Sequence, residues 1–310
     1  MKRVSVLITT YKRPKLVIEA IMSCLEQSYL PYEIVIGDDS PDNITCLAVT
    51  ELSKASSVNI RYIHNTPSLG QTENVNMLFD QAQGDVSVLL HDDDLLLPIA
   101  LEKMAGIFNY NQAIDIAFGK QYVITQGGTI DYDASADYNN DFYRCKAYEG
   151  EVLTPLEAGI GQQFPNNGYM VKSEIIKKIQ FRKHDSVAKL GNGCEYDFGL
   201  QLGLHGCRMH FIDEYLAKYR ISDISMSKSS TDDSAYQAYR ILNSVSVDTE
   251  RARTIKARRL SDKAPIAIVQ AVEMGKKREA LHIYLSKWNE GNKLTIGGIK
   301  RLLYIFFKFS

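Results

Sequence analysis

Val4-Ser5-Val6-Leu7-Ile8 opens the chain with a short, nearly continuous apolar run, the pattern of a strand buried on both faces. Thr9, Thr10 and Tyr11 end it. Pro14 then suits the first turn of a helix, where no N–H donor is needed. Leu16, Ile18, Ile21, Met22 and Leu25 follow as a stripe at helical spacing. A second strand is predicted over Glu33–Gly37, ending at the turn-forming cluster Asp38-Asp39-Ser40-Pro41-Asp42. A helix over 43–54 leads to a third strand, Val58–Ile63, and the spacing predicts another helix over Gln71–Ala82, closed by Gly84. The fourth strand, Val86–Leu90, runs straight into His91-Asp92-Asp93-Asp94. Such alternation implies an α/β fold: a largely parallel sheet with helices on both faces. Right-handed crossovers then gather the C-terminal ends of the strands on one edge, where ligands bind.

The pattern loosens between Thr125 and Tyr148, where Gly127-Gly128 and a run of Asp, Asn and Tyr predict a surface loop. Elements resume as helix 154–161, strand Tyr169–Val171, helices Ser173–Ile179 and Cys194–His205, and strand Arg208–Ile212; beyond Ser229 only basic helices are expected. This divides the chain into a principal domain over 1–228, itself split near residue 125, and a helical region over 229–310. Hydrophobic residues make up 45% and charged residues 24% of the 310, an ordinary globular composition rather than a disordered one.

Charge adds what composition does not. From Glu250 to Ser310 there are 14 Lys/Arg against 5 Asp/Glu, a balance of +9, so the overall −1 leaves about −10 on residues 1–249. An acidic principal domain disfavours nucleic acid as a partner, whereas the basic tail favours an anionic surface. The five cysteines are odd in number and scattered, as expected of free thiols in a reducing compartment. The opening apolar run is too short for a signal peptide, and no stretch approaches the roughly 20 apolar residues that span a bilayer. These features predict a cytoplasmic protein.

The carboxylates carry the chemistry. Asp38 and Asp39 end the second predicted strand, and Asp92, Asp93 and Asp94 follow the fourth. Either group alone reads as a solvated acidic turn; together, on one sheet edge, they repel each other unless a cation or hydrogen-bond donors compensate. Hard oxygen donors of this kind suit Mg²⁺ or Mn²⁺, which also holds a substrate diphosphate.

Several ordered motifs resemble the family-two inverting glycosyltransferases of the GT-A fold. They are Val4–Pro14, Ser23–Tyr29, Tyr32–Ser40, Leu69–Asn76, Gly84-Asp85, Leu90–Asp94, Gly193–Phe198 and Tyr219-Arg220. The resemblance covers about residues 3–227 and leaves the tail uncovered. It implies a nucleotide-binding half over 1–125 and an acceptor-binding half over 126–228; the C-terminal helical extension rests on the basic helical pattern beyond Ser229 alone. The resemblance also implies transfer of a sugar from a nucleotide-sugar donor, expected to be a UDP-hexose, to a hydroxyl of a glycan or lipid-linked acceptor. Thr9, Tyr11, Asp39 and Asp92 match nucleotide-binding positions, with Asp39 accepting from the base N–H. Asp93 matches the metal aspartate, for Mn²⁺ or Mg²⁺. Glu195 matches the catalytic base, which is usually Asp, leaving Asp197 as its rival. Asn74, Asn76 and Arg220 are candidate diphosphate or sugar contacts, although an Asn at a helix start also serves as a cap.

Besides Glu195, two further departures from the family pattern stand out. His91 occupies the place of the first Asp of the acidic motif, and Ser222 that of a frequent His after Tyr219-Arg220. Asp39, on a turn, is expected to be separable from the core. His205 and His210 read as structural, and Trp288 as packing. The tail, ending in Leu302-Leu303-Tyr304-Ile305-Phe306-Phe307, is expected either to lie on the inner membrane face as a peripheral contact or to dock on the protein, with a homo-oligomer contact as one form of docking. Two competing functions remain from the sequence alone: a non-catalytic nucleotide-sugar-binding scaffold, against which Asp93 and Glu195 argue, and a nucleotidyltransferase, against which the glycine-free Thr9–Pro14 turn argues.

Overall fold

The computed structural model describes residues 2–182, 193–221 and 233–307. Two compact units divide the chain, one formed by Met1–Lys183 with Gln201–Ser222, the other by His184–Leu200 with Asp223–Ser310. The motif position Ser222 lies outside the described residues.

The first unit opens with β1 (Val4–Thr10), α1 (Pro14–Leu25), β2 (Glu33–Asp38), α2 (Ile44–Lys54), β3 (Asn59–His64), α3 (Gln71–Gln81) and β4 (Val86–His91). β3, β2, β1 and β4 lie side by side in parallel. Their apolar runs are continuous because both faces are covered. Val4, Val6 and Ile8 join α1 and α4 (Ala100–Tyr110) in one core, while α3 packs against β1 and β2. Pro14 sits in the first turn of α1, as its missing donor requires. Beneath the sheet, the buried Glu33 carboxylate is satisfied by Ser5 Oγ at 2.7 Å, Gln83 N at 2.7 Å and Arg61 at 2.8 Å.

After the two-residue strand β5 (Leu95–Leu96), the sheet is extended by β6 (Ile116–Ile124), β7 (Ile130–Asp131), β8 (Tyr169–Lys172) and β9 (Met209–Arg220), giving the order β3-β2-β1-β4-β8-β6-β9-β5 with β7 on β6. β8 is antiparallel to both β4 and β6, so the sheet is mostly parallel but mixed at its far side. β9 is longer than the segment 208–212 predicted from hydrophobic alternation. A bulge at Gly119–Gln121 interrupts its pairing with β6, which scrambles the alternation through Asp213-Glu214-Tyr215. Gly119 is needed there, since a Cβ would lie 2.6 Å from Glu214 O.

The surface loop expected over 125–148 instead contains a helix, α5 (Tyr132–Asp141). Its polar residues, which read as loop, are the ones that pin it. Asp131 caps it through Ala134 N, Ser135 Oγ accepts from Val123 N at 2.8 Å, and Asn139 bonds both the N–H and the carbonyl of Gln121. α6 (Pro155–Gly161) and α7 (Ser173–Lys178) complete this unit with the end of α8 (Cys194–Leu204).

The second unit holds the start of α8 together with α9 (Ser234–Ser244), α10 (Glu250–Glu273), α11 (Lys277–Leu285), α12 (Glu290–Lys293) and α13 (Ile296–Phe307). α10 is its spine, contacting α9, α11 and α13 and burying Ile255, Leu260, Ala264 and Ile268. Trp288 donates its indole N–H to Asn243 at 3.0 Å and carries Lys287 over its ring. No helix among the described residues is long and apolar enough to cross a membrane.

Candidate active site

Strand register assembles the site. β1 pairs Thr10 with Asp38 on one side and Thr9 with His91 on the other, so both acidic clusters emerge at one edge of the parallel sheet. β5 pairs Leu95 with Lys218 of β9, which delivers Arg220 to the turn that follows β4.

That turn is dense in negative charge. Asp92 is 5% exposed and Asp94 fully buried. Thr10 Oγ1 donates to Asp92 at 2.8 Å, and Arg13 Nη1 bridges Asp92 at 3.1 Å and Asp93 at 2.8 Å. Burial and the Asp93 charge raise the Asp92 carboxyl above its ordinary range, against the pull of Arg13 and Thr10. Burial and Asp93 likewise push Asp94 up to about 7, opposed by His91, the Arg220 N–H and the Asn167 side chain. Burial works against the Arg13 charge, but Asp92 and Asp93 outweigh it and the guanidinium is held more firmly protonated.

Arg220 is the clamp of this turn. Its backbone N–H donates to Asp94 Oδ1 at 2.7 Å, its Nε to the Asp93 carbonyl at 2.8 Å, and its two terminal nitrogens to Gln126 O and Glu19. With a side chain 3% exposed, it positions the acidic turn, a different task from the diphosphate contact expected of it.

His91, Asp93 and Asp94 present ligand atoms within 4.8 Å of one another. Asp94 Oδ2 is buried with no hydrogen-bond partner among the described residues and lies 3.9 Å from His91 Nδ1. A buried carboxylate oxygen left unpaired is costly, and a divalent cation at this set would remove the cost. His91 thus offers a candidate ligand atom in the place of the first Asp of the motif.

The second acidic cluster is built differently. Asp38 is fully buried and accepts from Ser40 N at 2.7 Å and Tyr62 OH at 2.5 Å. Asp39, 6% exposed, accepts from Asn65 Nδ2 at 2.8 Å, Leu69 N at 3.1 Å and Gly70 N at 2.7 Å. It ties the loop before α3 to the sheet edge, so it is not separable from the fold as its turn position suggested. A carboxylate accepts about four hydrogen bonds, which leaves Asp39 capacity for one more.

Asn74 caps nothing, since the cap residue of α3 is Gly70. Its amide donates to Gly37 O at 2.9 Å. Gly37 permits this approach, because a Cβ there would lie 2.1 Å from Asn74 Oδ1. Asn76 bonds both the N–H and the carbonyl of Phe181 at 2.9 Å, spending its amide on the fold rather than on a ligand. Thr9 is half-buried at the end of β1. Tyr11 is 51% exposed just beyond it, with Lys12 Nζ 5.1 Å from its ring centre.

Glu195 and Asp197 stand in the first turn of α8, within the second unit. Asp197 is fully buried and Glu195 half-buried. The residues missed in the sequence are Thr10, Arg13 and Asn65. Only Arg13 had a readable signal, a cation at the N-cap of α1 directly before Pro14.

The profile described as Glycosyl transferase family 2 matches residues 5–161. An uncharacterised glycosyltransferase of Methanocaldococcus jannaschii is 28% identical over 223 residues, 70% of each chain. The GalNAc(5)-diNAcBac-PP-undecaprenol beta-1,3-glucosyltransferase of Campylobacter jejuni is 32% identical over 178 residues, 57% of this chain but only 47% of that protein. Among solved structures, S. aureus TarS 1–349 in complex with UDP superposes with a TM-score of 0.60 at 17% identity, over 89% of this chain and 75% of that one. A Pyrobaculum calidifontis mannosyltransferase in complex with GDP-Man and Mn²⁺ gives 0.61 at 13% identity, over 100% and 88%. With its parallel strands ending in paired acidic clusters, a GT-A sheet, and a family match across half its length, the chain belongs to glycosyl transferase family 2.

Proposed function

We propose that the protein transfers a hexose from a uridine diphosphate sugar to a hydroxyl of a glycan or lipid-linked acceptor, inverting the anomeric centre in a single displacement. Residues 1–228 form the catalytic domain in this reading, and 229–310 its basic helical extension. The observation that carries it is the His91–Asp94 turn, where a buried, unpaired Asp94 oxygen faces His91 and Asp93 at the end of a parallel strand.

His91, Asp93 and Asp94 would hold Mn²⁺ or Mg²⁺, hard cations that suit the two carboxylates of the set. When bound, the ion neutralises charge that develops on the departing diphosphate. Arg220 keeps the turn in place, and Thr10 and Arg13 orient Asp92 for the ribose side of the nucleotide. Asp39 uses its remaining lone pair for the base N–H, which favours uracil or thymine over cytosine. Thr9 and Tyr11 flank the same nucleotide. The base that takes the acceptor proton is assigned to Glu195 by its motif position. Its half-buried carboxylate supports that choice over the fully buried Asp197. A lipid-linked acceptor would set the enzyme at a membrane surface, reached through its basic tail.

Donor hydrolysis and calorimetry with UDP, each with and without Mn²⁺, test the reading. Asp93→Ala is expected to abolish turnover and most metal-dependent affinity. Glu195→Gln is expected to keep UDP binding while losing about 10²–10⁴ in rate. If Asp197→Asn is the dead variant instead, the base is Asp197. Wild-type protein that binds UDP–Mn²⁺ and never turns over is a binding scaffold.

A further inference from the structure

The helix α13 is apolar on two opposite sides. Its inner side carries Gly298 and Ile305, both buried, and it contacts α10 and α11. Its start also packs closely on α12, where a Cβ on Gly298 would lie 2.0 Å from Asn292 O. Its outer side carries Ile296, Ile299, Leu303, Phe306 and Phe307, exposed by 77%, 52%, 51%, 60% and 66%. Steps of three and four residues place the first four of these along one stripe. The six-residue apolar end of the sequence is therefore divided: Ile305 belongs to the protein, while Leu303, Phe306 and Phe307 face outward. Single exposed apolar residues need no explanation, but a contiguous stripe marks a contact.

We propose that this outer face of α13 is an interfacial anchor that seats the protein on an anionic lipid surface. The proposal rests on the lipid-linked acceptor reading for its purpose, but not for its physics. A helix of 12 residues is about 18 Å long, too short for the roughly 30 Å hydrocarbon core, so it lies in the interface rather than across it. From Lys276 to Arg301 the chain has seven Lys/Arg against Glu279 and Glu290 only. Lys287 and Lys300 are exposed, and Lys300 adjoins the stripe. Cations bordering an apolar helical face fit acidic headgroups above acyl chains. A second copy fits less well, because a two-fold contact sets each patch against itself and brings Lys300 toward its own equivalent.

The test is sedimentation of the full-length protein with phosphatidylglycerol–phosphatidylcholine vesicles and with phosphatidylcholine vesicles alone, at low and high salt. Binding is expected to the anionic vesicles only, and to weaken as salt rises. The double variant Ile299→Glu/Phe306→Glu is expected to lose about tenfold or more in partitioning. Lys287→Glu/Lys300→Glu is expected to lose about fivefold per charge. Unchanged circular dichroism and melting temperature show that each variant is folded, as their exposure predicts. Equal binding to both vesicle types, no binding, or wild-type binding by the apolar variant overturns the proposal. So does a dimer in sedimentation velocity that the same variant splits without any vesicle binding, which would give the face to a second copy. UDP-sugar hydrolysis without vesicles is expected to be unchanged in both variants, so a failed anchor and a failed transferase reading are told apart.

Discussion

At the scale of single residues, the acidic clusters at the two strand ends differ in what their carboxylates do. Asp92–Asp94 concentrate charge around a place for a cation, whereas Asp39 is already occupied by three donors from the loop before α3. Asp39→Ala therefore has two expected effects. Loss of a base hydrogen bond to a charged acceptor costs about 1.5–3 kcal/mol in UDP affinity. Two backbone N–H groups and an amide lose their acceptor as well, so the melting temperature falls too. Calorimetry paired with a thermal melt checks both; full affinity in a destabilised variant would leave Asp39 a purely structural node. The aspartates were readable because carboxylates after apolar runs are conspicuous. Arg13 was less so, since a basic residue before Pro14 reads as solvated until β4 is placed beside β1.

At the scale of elements, the instructive case is α5, hidden in a stretch rich in Asp, Asn and Tyr. Asn139 is 2% exposed and holds three bonds, from Gln121 N at 3.1 Å, to Gln121 O at 2.8 Å and to Ser135 O at 2.7 Å. Asn139→Ala leaves polar groups of β6 without partners and is expected to cost about 1–3 kcal/mol. The neighbouring Asn140 is exposed, so Asn140→Ala is expected to be neutral within about 0.5 kcal/mol. Urea unfolding of the pair checks the contrast. Local propensity could not supply this helix, because the side chains that stabilise it bond to a strand distant enough in sequence to leave no periodic trace. β9 was shortened for a related reason: its bulge shifts the period of two on which strand recognition depends.

At the scale of the whole molecule, the proposed cation site is expected to couple stability to metal binding. Arg13 and Arg220 offset only part of the charge carried by Asp92, Asp93 and Asp94. A ligand that binds only the folded state stabilises it by mass action, about 2.7 kcal/mol at 100 times its dissociation constant. Mn²⁺ is therefore expected to raise the melting temperature by several degrees, reversibly on chelation, and to do so much less in Asp93→Ala. Differential scanning fluorimetry decides it, and a wild type indifferent to Mn²⁺ would remove the metal from the proposed site.

The parallel half of the sheet was determined by the sequence alone. Strands buried on both faces must be apolar throughout, and the helices between them must show one apolar stripe, so the order β1 to β4 and the acidic ends of β2 and β4 are written locally. Tertiary structure decided what those ends became. Arg220 reaches Asp94 from 126 positions away because β9 pairs with β5, and no local pattern records that pairing. Asn76 turns to Phe181, and Asp39 to Leu69 and Gly70, for the same reason. A buried hydrogen-bonding group takes whichever partner the packed chain brings within reach, and that depends on contacts between elements rather than on spacing within them.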